Sequence, residues 1–250
     1  MIIREESEFW VVTTQHEHGG LSGHLASRWR DTNRRKQSDW QSVVIAAREH
    51  DRGWKEADHL PKWDAIHGQP HDFNSYPDED KIALYRRGIE EVQLMDERAA
   101  YLVSRHLSAF FKSIDTPRAS AFIKGEQLRQ SNMKIKTDTT IDQQILTMCD
   151  ELSLYACLNR PGVQKKDEFP WFKNGFSSRF TFLDDQIVQA HWHDERRIVL
   201  DPFPLLETTR YPLHSFHLQK EIVFSDGLKA AWNHAKMEKN IVTFMKASEA

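Results

Sequence analysis

Between residues 15 and 158 the apolar side chains of this chain recur at helical spacing, and beyond Pro161 they recur at every second position. A helical period does not settle as a strand, nor a period of two as a helix, so this switch divides the fold into two regions. Leu21, Leu25 and Trp29 form the first stripe, and His18 stands three residues ahead of Leu21 on the same face. Trp40, Val43, Val44 and Ala47 form the second. That stripe opens at a Ser38–Gln41 capping box, runs into His50 and Asp51, and stops at Gly53. Residues 54–77 read as a loop punctuated by Pro61, Gly68, Pro70 and Pro77. Residues 78–111 read as helix broken near Gly88 or Asp96, with an inward seam (Ile82, Tyr85, Ile89, Val92, Ala99, Val103, Phe110) that also carries Asp96 and His106. Two more helices follow, from Pro117 to about residue 134 and from about residue 140 to Leu158.

Strand patterns lie at both ends. Ile2, Ile3, Phe9, Trp10, Val11 and Val12 predict a short hairpin or edge strands before Thr14. After Pro161, Phe180 with Phe182, Ile187 to Trp192 and Ile198 to Leu200 alternate as strands, with turns at Asp184-Asp185 and Asp194-Glu195. A helix near Gly227 to Lys236 and a strand around Ile241 to Met245 close the pattern. The expected fold is α+β, with a mainly helical core and N-terminal hairpin over residues 1–160. The strand-rich portion, 161–250, packs on the same domain and completes a small antiparallel sheet with the N-terminal strands.

Several classes of function are excluded or disfavoured. A net charge of −3 with both signs interspersed gives no extended positive field for nucleic acid. No apolar run approaches the roughly 20 residues that cross a bilayer, and the mean hydropathy is −0.66. Cys149 and Cys157 lie on one predicted helix, roughly 12 Å apart along its axis, and cannot pair there. Unpaired thiols and the charged start Arg4, Glu5, Glu6 predict a cytoplasmic protein. Walker-type phosphate loops, dinucleotide glycine fingerprints and serine elbows are all absent. Nothing in the pattern specifies an oligomeric state.

The chemistry is carried by polar groups on apolar faces. Asp150 sits among Ile145, Leu146, Met148, Leu152, Leu154 and Tyr155, while His18 and His50-Asp51 continue apolar stripes. A buried ionised group is costly unless paired, hydrogen-bonded or bound to metal. Imidazole nitrogens and carboxylate oxygens suit zinc, iron or manganese, and the carboxylate share admits magnesium. The alternative is a buried polar network that only holds helices together. His71-Asp72, in a loop, and His191-Trp192-His193-Asp194, beside a turn, repeat the dipeptide but read as surface.

A His on one helix, His-Asp on the next and an Asp on a much later helix resemble the motif of the His-Asp domain superfamily of metal-dependent phosphohydrolases. The resemblance covers about residues 14–158 and implies an all-helical core in which His18, His50, Asp51 and Asp150 bind metal. It also implies His106 as the added ligand of members with two ions and Asp51 as the catalytic carboxylate; Arg105 and Lys55, near these ligands in sequence, are the candidate phosphate contacts, with solvent-exposed positions as the alternative. The cofactor would be one or two divalent ions (Mn, Fe, Mg or Zn), and the partner a small phosphorylated molecule, either a phosphomonoester or a phosphodiester, with a nucleotide among the candidates. A di-iron oxygenase and a non-catalytic metal protein using the loop from Trp54 to Tyr76 are the alternatives. The whole chain also resembles an uncharacterised bacterial domain-of-unknown-function family, number 3891. That likeness is carried by Gln15-His16-Glu17-His18, His50-Asp51-Arg52-Gly53-Trp54, Asp150-Glu151-Leu152-Ser153-Leu154 and Asp201-Pro202-Phe203-Pro204.

Overall fold

The computed structural model describes residues 1–250. Its first elements are an antiparallel hairpin, β1 (Ile2–Glu5) and β2 (Phe9–Thr13). Thr14 then caps α1 (Gln15–Ser27), its side chain accepting from the Glu17 amide. Two further helices follow, α2 (Thr32–Arg35) and α3 (Trp40–Glu49). The Ser38–Gln41 box does not form. The helix starts at Trp40, and Asp39 at its N-cap gives its carboxylate to Arg34 (2.7 Å) and Arg98 (3.1 Å) instead of to helix amides.

The stretch expected to be loop is partly ordered. It holds a 3-10 turn (Arg52–Trp54), α4 (Lys55–His59) and a two-strand ribbon, β3 (Trp63–Asp64) with β4 (Gln69–Pro70). The long seam becomes α5 (Asp78–Gln93) and α6 (Glu97–Ala109). The break falls at Asp96, which caps α6 by accepting from the Ala99 amide at 2.7 Å. α7 (Pro117–Asn132) and α8 (Thr140–Leu158) complete the helical layer.

The C-terminal part contains β5 (Gln189–Trp192), β6 (Arg197–Asp201), β7 (Thr209–Gln219), α9 (Lys220–Asp226), α10 (Leu228–His234) and β8 (Lys236–Lys246). With the N-terminal hairpin they form one six-stranded sheet, ordered β1-β2-β7-β8-β6-β5. The sheet is larger than expected and mixed, which corrects the antiparallel expectation: β8 pairs antiparallel with β7 and parallel with β6. The cause is topological. The strands β6 and β7 run in opposite directions, so a strand inserted between them must be parallel to one. Phe180 and Phe182 belong to a 3-10 turn at Thr181–Leu183 instead of a strand, and both rings pack on Trp29, 4.9 and 5.7 Å between centroids.

One apolar core runs from Leu21, Leu25 and Leu152 in the helices to Ile198, Leu200 and Phe244 in the sheet. The other face of the sheet has its own cluster, where Trp10, Val12 and Leu218 lie under Val223 and Ala231 of α9 and α10. Alternation along β2 supplies both faces. Two backbone approaches set the helix positions around the future site. Gly19 of α1 faces α3 so closely that a Cβ there would lie 2.5 Å from the Arg48 carbonyl oxygen. Gly53 and Gly88 likewise bring the 3-10 turn onto α5, and a Cβ on Gly88 would lie 2.6 Å from the Gly53 nitrogen.

A Cβ on Gly53 would overlap the carbonyl oxygen of Leu84, which is fixed in α5. Gly53→Ala is therefore expected to cost about 2–3 kcal/mol, the range for overpacking a rigid interior. Urea denaturation checks this, and an unchanged midpoint would contradict the close approach.

Candidate metal centre

His18 lies in the second turn of α1, where the packing of Gly19 against α3 turns its ring toward the end of that helix. α3 ends at Glu49, slightly earlier than expected, with His50 as C-cap and Asp51 at φ −103°, ψ 23°. Consecutive helical residues point about 100° apart. By leaving helical geometry at Asp51, the chain lets His50 and Asp51 face one point. Asp150 approaches from the middle of α8 and His106 from the last turn of α6.

The four expected residues meet. His18 Nε2 lies 3.1 Å from His50 Nε2, 3.0 Å from Asp150 Oδ1 and 3.9 Å from Asp51 Oδ2. His50 Nε2 is 3.3 Å from Asp150 Oδ1 and 3.5 Å from Asp51 Oδ2. His106 Nε2 reaches the other oxygen of the same carboxylate, Asp150 Oδ2, at 3.1 Å. All five side chains are less than a tenth exposed. Two overlapping groups could each hold an ion: His18, His50 and Asp51, and His50, His106 and Asp150.

Hydrogen bonds behind the rings fix their chemistry. His50 Nδ1 lies 2.9 Å from the Ala47 carbonyl oxygen, which can only accept, so Nδ1 carries the proton. Ser153 Oγ donates its one hydrogen to the Asp150 carbonyl at 2.8 Å and therefore accepts from His18 Nδ1 at 2.7 Å. Both neutral imidazoles then direct Nε2 lone pairs at each other across 3.1 Å. That contact requires a cation, either a proton on one ring or a metal ion, and such back-side bonds are characteristic of metal-bound histidines. Donors about 2.0–2.2 Å from a common ion lie about 3.0–3.5 Å apart, the spacing of every contact here except His18 to Asp51, at 3.9 Å. The residues present fit a divalent ion.

The charges respond to this enclosure. Burial opposes the imidazolium of His50, but the carboxylates of Asp51 and Asp150, the hydrogen bond to Asp150 and the Ala47 carbonyl outweigh it, raising its pKa to about 9. Burial also opposes ionisation of Asp150. The charge of His50 and bonds from His106, His18 and His50 overcome it, holding this carboxyl well below the usual range. Cys149 is buried, and its thiol is pushed upward by burial and then by Asp150, which keeps it a neutral, space-filling side chain.

The centre borders a cleft. His106, Asp150 and Tyr85 line this cleft of about 780 Å³, whose walls include Phe73, Phe111, Leu154, Trp171 and Phe176. Burial, then the charges of Asp51 and Asp150, hold the Tyr85 phenol well above its ordinary pKa, so it stays a hydrogen-bond donor. Lys81 and Arg179 are the cations of the lining. Arg105 and Lys55 do not line it. Arg105 donates to Thr139 Oγ1 at 2.6 Å, and Lys55 starts α4 near His16. His71 joins a separate group with Ser75 and Asp64, and His191 and His193 are exposed at the edge strand. Of the groups not foreseen, Ser153 had a signal, a hydroxyl three residues after Asp150 on an apolar helix. Lys81 and Arg179 had none.

Residues 1–214 match the profile of a family described as "Protein of unknown function (DUF3891)", and the chain belongs to that family. No curated protein matches it. No solved structure does either.

The protonation of His50 makes metal binding pH-dependent. With its pKa raised from 6.5 to about 9, the proton on His50 stabilises the metal-free fold fully below 6.5, and that contribution is lost as pH rises through about 9. A bound ion must displace this proton, so apparent affinity should rise about tenfold per pH unit up to about pH 9. Competition with a chromophoric chelator measures it, and a flat profile would exclude the ion from His50.

Proposed function

We propose that this member of the DUF3891 family is a metal-dependent phosphohydrolase of His-Asp type, acting on a small phosphorylated molecule. The observation that carries the reading is the pair of Nε2 atoms 3.1 Å apart, each ring held in the donor-free tautomer toward the centre, with two carboxylates beside them. His18, His50, Asp51 and Asp150 would hold the ion. When bound, the ion supplies an acidified water and a Lewis acid for a phosphoryl oxygen.

The side chains of the protein divide the remaining work. Asp51 turns Oδ2 to the histidines, which leaves its Oδ1 to accept a proton from the attacking water. Asp150 Oδ2 orients His106, which faces the cleft and is placed to hold a proton for the leaving oxygen. Tyr85, which also lines the cleft, donates to a phosphoryl oxygen, and its neutral phenol costs no charge burial. Lys81 and Arg179 offset the two carboxylates of the lining, Asp150 and Glu151, so that the cleft does not repel a small anion. The apolar lining and the second ligand group, which includes His106, favour one other reading: oxidative chemistry at two irons. Oxygen-dependent turnover of an iron-loaded sample would separate it from hydrolysis.

Elemental analysis followed by a phosphatase and phosphodiesterase panel with Mn, Fe, Mg and Zn tests the proposal. Folded Asp51→Ala is expected to lose its metal and its turnover, and full metal content in that variant would refute the ligand assignment. Tyr85→Phe should keep the metal and lose about a hundredfold in kcat/KM, the usual consequence of removing one transition-state donor.

A further inference from the structure

The cleft in front of the centre has a composition that restricts what can enter it. Half of its 20 lining residues are hydrophobic, in a volume of about 780 Å³, room for a body of drug-like size. Three of these side chains remain substantially exposed: Trp171 by 52%, Phe110 by 48% and Ile187 by 42%. The Phe73 and Trp171 rings meet edge to face with centroids 6.1 Å apart, linking the loop after β4 to the 3-10 turn at Pro170–Phe172. Aromatic surface left open toward a cavity is a binding surface for an apolar or planar group.

The charges limit the anion. Lys81 and Arg179 are balanced by Asp150 and Glu151, so the lining has no net positive charge of its own. Lys81 already spends its ammonium on the Asn74 carbonyl (3.3 Å) and on Asp78 (3.7 Å), and burial weakens its hold on the proton. Arg179 Nη1 is committed to the carbonyls of Phe176, Ser177 and Ser178, at 2.9, 2.8 and 3.2 Å. A nucleoside triphosphate, with about four negative charges, would be poorly compensated here. A single phosphate at the Asp150–His106 end would not.

We propose that the substrate is a phosphomonoester of a bulky aromatic alcohol, with the ring system among Phe73, Phe110, Trp171 and Ile187 and its one phosphate at the metal centre. The phosphate part rests on the phosphohydrolase reading; the apolar part rests on the lining alone. In the reaction water oxygen bonds to phosphorus, the ester P–O bond breaks, and the leaving oxygen takes a proton. The products are the alcohol and inorganic phosphate.

The test uses the full chain loaded with each metal, and compares 1-naphthyl phosphate with glycerol 2-phosphate and ATP by kcat/KM. Calorimetric binding of 1-naphthol is measured in parallel, without turnover. A preference of about 30-fold or more for the naphthyl ester is expected, of the size apolar pocket contacts provide. In the double variant Trp171→Ala with Ile187→Ser, naphthol binding should weaken about tenfold with metal content unchanged; both positions are open enough to change without unfolding. Equal or better hydrolysis of ATP or glycerol phosphate would overturn this proposal and leave the phosphohydrolase reading standing. Naphthol binding with no hydrolysis of any ester would uphold the apolar cleft and overturn the phosphate. Neither binding nor hydrolysis would overturn both.

Discussion

Two imidazole nitrogens face each other across 3.1 Å in the interior of this protein, and most of the helical layer is arranged to keep them there. Without a cation between them the contact is repulsive, because the Ala47 carbonyl and the Ser153 hydroxyl commit both opposite nitrogens to donation. The two carboxylates compound the problem, since burying them unpaired would be equally costly. Each half of the cluster is therefore unaffordable without the other. Histidines, carboxylates and a proton or ion form one unit that removes the cost of burial.

Such a unit needs a rigid frame, since small shifts of its donors would undo it. Gly19 lets α1 lie against α3, and Gly53 against Gly88 fixes the turn that carries Asp51. At one end of the layer Asp142 of α8 takes Arg34 from α2 at 2.5 Å and also Arg98 from α6. Asp39 at the start of α3 pairs with both arginines. Four chain segments are thereby tied by charges gathered on the buried Asp142, whose hydrogen bonds specify one arrangement. The sheet adds a support: β1 packs on α8, and the backbone of Arg28 and Arg30 bonds Leu206 and Pro204 beyond β6.

Much of this was readable from spacing. His18, His50, Asp51 and Asp150 are polar residues on apolar stripes, and burial without compensation is the physical signal that singled them out. Asp96 also lies on an apolar seam but at an expected helix break, and it is the N-cap there, because a cap carboxylate sits at the edge of the next helix's apolar face. Arg105 and Lys55 were chosen as sequence neighbours of ligands, yet the residue before His106 on a helix points about 100° away from it. The cleft was hidden for another reason. Its wall comes from the loop after β4, from α5, α6 and α8, and from the segment around residues 171–187, and no local pattern joins these. β7 escaped notice because Pro212 and three histidine or serine positions mask its alternation, and the parallel pairing of β6 with β8 depends on a strand inserted from 35 residues away (201 to 236).

Asp150 joins the closed and open halves of the site. Its Oδ1 is turned inward to His18 and His50, its Oδ2 outward to His106, and only His106 among the histidines reaches the cleft. A carboxylate held ionised by three imidazoles is a poor proton acceptor but a strong orienting group. His106 on the cleft side is therefore connected to the inner pair through the two oxygens of one carboxylate. The same side chain that makes the centre stable to bury is the one that joins it to the cleft.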